Sequence, residues 1–228
     1  MVGAEARGSA DRWSDVDLTF GLVDGDSVTE ILADLTTGMA DEFEAVDLFD
    51  LHVGSTVYRV FLLPGNLQVD ISFAPEAEFG ARGPHFRLLF GNAVKGSGGH
   101  VTRSPQPDAA RHLFGLGVHH AVRARFCIER GRPWQAEHWI SGTRDQALAL
   151  ACRRRGLRGA YGRDFDRLPA ELLAKLGPTL VGSLERPELL RALDAAIDTL
   201  LTEAEEVRAL ADRLAPQLRE LTAPTFIA

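Results

Sequence analysis

Two aspartates, Asp15 and Asp17, stand two residues apart at the head of the apolar run Leu18-Thr19-Phe20. Side chains alternate along a strand, so both carboxylates project from one face. Held this close they repel each other unless a cation sits between them. A hard divalent ion such as Mg²⁺ takes such oxygen ligands and keeps room for substrate phosphates. A third carboxylate should then lie on a neighbouring strand, and Asp70 qualifies. In Leu67-Gln68-Val69-Asp70-Ile71-Ser72-Phe73, the residues Val69, Ile71 and Phe73 alternate with Asp70 and Ser72. An acidic residue inside so apolar a strand is costly unless paired or metal-bound. Two metals bridged by three carboxylates polarise a transferring phosphoryl group and steady an attacking oxygen. Upstream, Gly3-Ala4-Glu5-Ala6-Arg7-Gly8 reads as a tight loop, whose backbone N–H groups can approach phosphate oxygens.

Together these residues resemble the signature of the DNA polymerase β-like nucleotidyltransferase superfamily. That signature is Gly-Ser, a short loop with Ala-Arg-Gly, Ser-Asp-x-Asp-Leu, and a third Asp on a later strand. Ala6-Arg7-Gly8, Ser14-Asp15-Val16-Asp17-Leu18 and Asp70 carry the likeness, over residues 1–75. The resemblance implies transfer of a nucleoside monophosphate from a nucleoside triphosphate, ATP foremost, to an acceptor hydroxyl, with release of pyrophosphate. It implies that Asp15, Asp17 and Asp70 are catalytic and hold two Mg²⁺ ions, and that Gly3, Ala4, Arg7, Gly8 and Ser14 contact the nucleotide. Two features depart from the pattern. Gly3-Ala4 stands where the family has Gly-Ser, which removes a hydroxyl expected on a terminal phosphate. Only Met1-Val2 precede the loop, where the family has a helix and a strand. A reading with a decayed, non-catalytic nucleotide site follows from those departures, against three intact aspartates.

The totals set bounds. At 228 residues the chain holds one large domain or two small ones, with enough interior for a real core. A hydrophobic share of 45% and a charged share of 25% are those of an ordinary soluble globular protein. The formal charge of −7 argues against a nucleic-acid binder that relies on a basic surface. Cys127 and Cys152 match no metal spacing and read as buried, reduced thiols. With no signal peptide and no apolar run of transmembrane length, the expectation is a cytoplasmic protein without a membrane partner.

The elements that must position these residues follow from pattern. Val16–Val23 reads as a strand, and Ser27 with Glu30 as a capping box opening a helix. That helix places Val28, Ile31, Leu32, Leu35 and Met39 on one face. Residues 45–49 and 56–63 read as strands, and Pro64-Gly65-Asn66 as a turn into the Asp70 strand. A small mixed sheet carrying helices results. Residues 75–107 are punctuated by Gly and Pro and read as a linker, with Phe86–Phe90 a short strand or helix inside it.

From residue 108 the pattern is helical: 109–130, then a helix opened by Pro133 and running to Arg154, a short helix at 171–176, and one long helix over 187–214. The expected fold is therefore α+β, a nucleotidyltransferase domain over 1–107 followed by an α-helical bundle over 108–228. Sheet followed by bundle resembles the antibiotic-modifying nucleotidyltransferases of the kanamycin and lincosamide kinds. That resemblance implies a small hydroxylated acceptor such as an aminoglycoside or lincosamide, a homodimer with a shared cleft, and a general base from the helical domain. Candidates are Glu129, Glu137 and Asp145; Glu137 and Asp145 lie eight residues apart, about two helical turns. Trp134 and Trp139 could stack on a sugar or base. Arg153-Arg154-Arg155 with Arg158 either meets the triphosphate or forms a solvated helix end that favours the dipole. Arg132 and His138 also resemble the Arg-x₄₋₆-His motif of HEPN-type ribonucleases, which makes His119, His120 and His138 candidate acids or bases in RNA cleavage or in a toxin–antitoxin component that modifies a protein.

Overall fold

Alternating apolar side chains turn Val16–Leu22 into strand β1 in the computed structural model, which describes residues 1, 8, 10–23, 25–80, 86–93 and 110–223. The described residues separate into two compact units, one within Met1–Pro107 and the other within Asp108–Ile227. The fold is α+β: a small mixed sheet with a helix in the first unit, and helices in the second.

In the first unit, helix α1 (Val28–Phe43) follows β1, then come β2 (Val46–Val53), β3 (Thr56–Leu62) and β4 (Gln68–Pro75). The Ser27 side chain accepts from the Glu30 N–H at 3.4 Å and so caps α1 as its spacing predicts. The strand order is β1-β4-β3-β2, with β1 parallel to β4 and the other neighbours antiparallel. Val28, Ile31, Leu32, Leu35 and Met39 of α1 pack with Leu18, Phe20, Phe61, Val69, Ile71 and Phe73. Burying side chains of this size contributes about 1.5–3 kcal/mol each, and that sets which face of β1 and β4 turns inward. One polar tie crosses this core. Arg59 makes a bidentate pair with Asp50 at 2.7 Å and donates to the Leu32 carbonyl at 3.2 Å and to Thr36 Oγ1 at 2.7 Å, joining sheet to helix.

The Phe86–Phe90 piece is neither strand nor helix. Its side chains instead wall a cavity of about 430 Å³ along the outer edge of β1, with Leu18, Phe20 and Phe79 opposite. Gly21 allows this, because a Cβ there would lie 2.8 Å from the Phe79 ring.

The second unit contains α2 (Ala110–Glu129), α3 (Pro133–Arg154), α4 (Ala170–Leu176), α5 (Arg186–Glu203) and α6 (Arg208–Glu220). Glu129 meets Arg186 at 2.9 Å and Arg154 meets Glu203 at 3.0 Å, so α2 runs antiparallel to α3 and α5. Gly117 lets α5 close on α2: a Cβ there would stand 2.6 Å from Leu200. Buried Arg125 holds the last turn, donating to the Leu221 carbonyl at 2.5 Å and pairing with Glu129 at 2.8 Å. Both cysteines are free and buried. Among the described residues, no helix is long and apolar enough to cross a membrane.

The expected single helix over 187–214 is two, broken at Ala204–Val207. The break has a polar cause. Arg208 turns back to donate to the Leu201 carbonyl at 3.0 Å and the Thr202 carbonyl at 3.3 Å, satisfying acceptors that a helix end leaves open. Meanwhile Glu203 is buried beneath Arg154 and Arg155. No glycine or proline marks the spot, so the apolar period alone runs straight through it.

A ring cluster joins α2 to α3. Trp139 lies 5.9 Å from His119 and 5.1 Å from His120, and the absent side chain of Gly142 makes room for the His120 ring. Burial, reinforced by Arg123 and His120, pushes the His119 imidazole down to about 3. An unfolded histidine titrates near 6.5. Above that pH both states are neutral and the stability is fully present. Below it the unfolded chain takes up a proton that the folded chain refuses, so stability falls by on the order of 1.4 kcal/mol per pH unit for one such site. Thermal melts from about pH 7 down to about pH 5 should show a falling Tm, with a shallower fall in His119→Gln; equal slopes would remove His119 as the cause.

Candidate metal centre

Asp17 and Asp70 are direct partners in the parallel ladder of β1 and β4. The inward apolar set fixes this: with Leu18, Phe20, Val69, Ile71 and Phe73 against α1, the alternating residues Asp17, Thr19, Asp70 and Ser72 must take the opposite face. Asp15 immediately precedes β1 and shares that face. One oxygen from each of Asp15, Asp17 and Asp70 lies within 4.8 Å of the others, and all three residues are half-buried. Among the described residues, no other three His, Cys, Asp or Glu gather so closely.

Three carboxylates in so small a space repel one another, and partial burial weakens the screening by water. An all-oxygen donor set without histidine or cysteine suits a hard ion such as Mg²⁺, Mn²⁺ or Ca²⁺ better than one that favours nitrogen or sulfur. The residues present therefore fit the ion that the sequence resemblance implies.

The approach to Asp15 is a closed turn. Ser14 N–H donates to the Asp11 carbonyl, Asp11 N–H donates to Ser14 Oγ, and Ser14 Oγ donates to Asp11 Oδ1, each at 3.0 Å. Trp13 N–H also donates to Asp11 Oδ1 at 3.0 Å. The Ser14 hydroxyl, expected to face the nucleotide, thus braces the turn that delivers Asp15. Arg12 covers the Trp13 ring at 4.3 Å. Gly8 has a φ of 67°, a left-handed conformation that glycine adopts without strain. Gly3, Ala4 and Arg7 lie outside the described residues.

The base candidates belong to the helical unit. Glu129 is held between Arg125 and Arg186. Glu137 is half-buried and accepts from Ser141 Oγ at 2.7 Å, while Asp145 is 53% exposed beside Arg144. Trp134 is exposed and Trp139 is packed among the histidines. Both Arg132 and His138 are exposed. The basic cluster is a solvent-exposed helix end whose arginines are paired with acidic side chains. Arg153 pairs with Glu206, Arg154 with Glu203 and Glu205, Arg155 with Glu203, and Arg158 with Asp164. Those acidic partners follow in the chain by six to fifty-three residues, beyond what helical spacing reveals.

One pair on the carboxylate face escapes motif reading. Ser72 Oγ donates to Thr19 Oγ1 at 2.8 Å and lies 3.3 Å from the Leu18 carbonyl. The signal was available: Ser72 and Thr19 share the parity of Asp70 and Asp17.

Removing one charge should separate repulsion from binding. Without metal, Asp17→Asn and Asp70→Asn should be as stable as the wild type or more so, by about 0.2–1 kcal/mol, because like charges directly opposite destabilise a sheet. Millimolar Mn²⁺ should raise the Tm of the wild type and leave both variants unmoved; an equal rise in all three would place the ion elsewhere.

No protein-family model matches the chain, and no curated protein does. Among solved structures, an aminoglycoside 6-adenyltransferase from Bacillus subtilis is similar with a TM-score of 0.41 and 12% sequence identity, over 91% of this chain and 88% of that one. A likeness of that degree fixes neither reaction nor substrate.

Proposed function

We propose that this chain is a Mg²⁺-dependent nucleotidyltransferase, moving a nucleoside monophosphate from a nucleoside triphosphate to a hydroxyl of a small acceptor. One observation carries the reading: the convergence of Asp15, Asp17 and Asp70 on a single face of β1 and β4. Its support from sequence is the Ser14-Asp15-Val16-Asp17-Leu18 motif with Ala6-Arg7-Gly8 before it.

In this reading Asp15, Asp17 and Asp70 hold two Mg²⁺ ions. Bound there, the cations neutralise charge on the triphosphate and lower the pKa of the acceptor hydroxyl. Gly3, Ala4 and Gly8 offer backbone N–H groups to the phosphates and Arg7 its guanidinium, while Ser14 fixes the turn. The acceptor oxygen bonds to the α-phosphorus as the bond to the bridging oxygen breaks. Pyrophosphate leaves, and the hydroxyl proton passes to a base. Glu137 and Asp145 are the candidates, since Glu129 already neutralises two arginines. A base within reach adds ~10²–10⁴-fold. ATP is the expected donor and an aminoglycoside or lincosamide the expected acceptor; a homodimer and a cytoplasmic location belong to the same proposal.

The test is pyrophosphate release with each common nucleoside triphosphate, with and without a panel of aminoglycosides and lincosamides. Release should depend on Mg²⁺ and on one acceptor, and fall at least about a hundredfold in Asp17→Asn, because cation stabilisation supplies several kcal/mol. Turnover near the wild-type rate in that variant would overturn the assignment.

A further inference from the structure

The parallel pairing of β1 with β4 sets a physical problem that the carboxylates do not solve. β1 is an edge strand, hydrogen-bonded to β4 alone among the described strands. Parallel pairing is slightly weaker per residue than antiparallel pairing. Asp17 and Asp70 stand directly opposite within this ladder, where like charges push the strands apart. The next pair along the same face is Thr19 opposite Ser72. Their hydroxyls meet at 2.8 Å, and Ser72 Oγ also reaches the Leu18 backbone carbonyl at 3.3 Å. Ser72 is only 1% exposed, in a strand whose neighbours Ile71, Phe73 and Ala74 are all buried and apolar. An apolar residue would suit such a position at least as well by packing.

We infer that Thr19 and Ser72 are positioning residues for the metal centre, and this rests on the reading of Asp15, Asp17 and Asp70 as ligands. The hydroxyl pair clasps the edge strand to β4 one step beyond the opposed carboxylates. It holds Asp17 and Asp70 at ligand spacing before any cation neutralises them. In this role both hydroxyls act through the two aspartates. Outer groups that orient metal ligands typically change affinity 10–100-fold when removed. The near-isosteric Thr19→Val and the truncation Ser72→Ala should each weaken binding about tenfold, whereas Thr19→Ser, which keeps the hydroxyl, should stay close to the wild type.

Mn²⁺ binding followed by electron paramagnetic resonance on the full chain gives the affinities, with circular dichroism confirming that each variant is folded. A second readout needs no metal. If the clasp works against charge repulsion, the loss of Tm caused by Ser72→Ala shrinks once Asp17→Asn has removed that repulsion; a merely structural hydrogen bond costs the same in both backgrounds. Weakened Mn²⁺ binding in Thr19→Val with rescue by Thr19→Ser, together with a non-additive cycle, is the expected result. Wild-type affinity in Thr19→Val and Ser72→Ala, or an additive cycle, overturns the clasp and leaves the metal centre standing. A wild-type protein that binds no Mn²⁺ overturns both.

Discussion

The register of β1 against β4 is the constraint from which the rest of the first unit follows. Side chains alternate strictly, so a slip of one residue on either strand would carry its carboxylate into the face that α1 covers. The apolar set prevents this. Leu18, Phe20, Val69, Ile71 and Phe73 belong to one cluster with α1, and full burial contributes about 1.5–3 kcal/mol for a side chain of this size. Opposed carboxylates cost about 0.2–1 kcal/mol per pair. Packing wins by a wide margin, and the sheet tolerates a concentration of like charge that an isolated pair of strands would relieve by separating. The acidic cluster is thus a consequence of core formation on the far face, and a cation is its natural complement.

The helical unit distributes charge on the opposite principle. Six of its arginines share three acids: Arg125 and Arg186 pair with Glu129, Arg154 and Arg155 with Glu203, Arg158 and Arg167 with Asp164. Arg158 holds the Asp164 carboxyl down at about 2 through its side chain and backbone hydrogen bonds. These pairs set helix ends and loop geometry: Glu203 lies where α5 stops, and Asp164 organises the irregular stretch between α3 and α4. A chain of net charge −7 that pairs so many of its cations internally leaves few of them for an anionic ligand, so in the proposed function the cations bound at the carboxylates take that part.

Much of the candidate site was legible because its signals are local. Asp15 and Asp17 sit on one face by parity alone, Asp70 stands out as an acid within Val69-Asp70-Ile71, and Ser27 and Pro133 announce the helices they open. The hidden features come from partners far apart in the chain. Ser72 and Thr19 are 53 residues apart, and Arg154 and Glu203 are 49 apart. The fate of Arg153–Arg155 could not be read from their own neighbourhood, which shows only a basic helix end. The break between α5 and α6 was invisible for the same reason: residues 187–214 keep a helical period, and the groups that interrupt it act from α3 and from Arg208.

By itself, then, the sequence determined which carboxylates form the candidate site and which face of each strand they occupy, because alternation and apolar patterning are properties of neighbouring residues. Tertiary structure decided that β1 lies beside β4 with Asp17 level with Asp70, since strand order and register are set by how the whole apolar face closes over α1. It also decided which charges of the helical unit are matched. Those outcomes depend on distances across the fold, and no local pattern contains them.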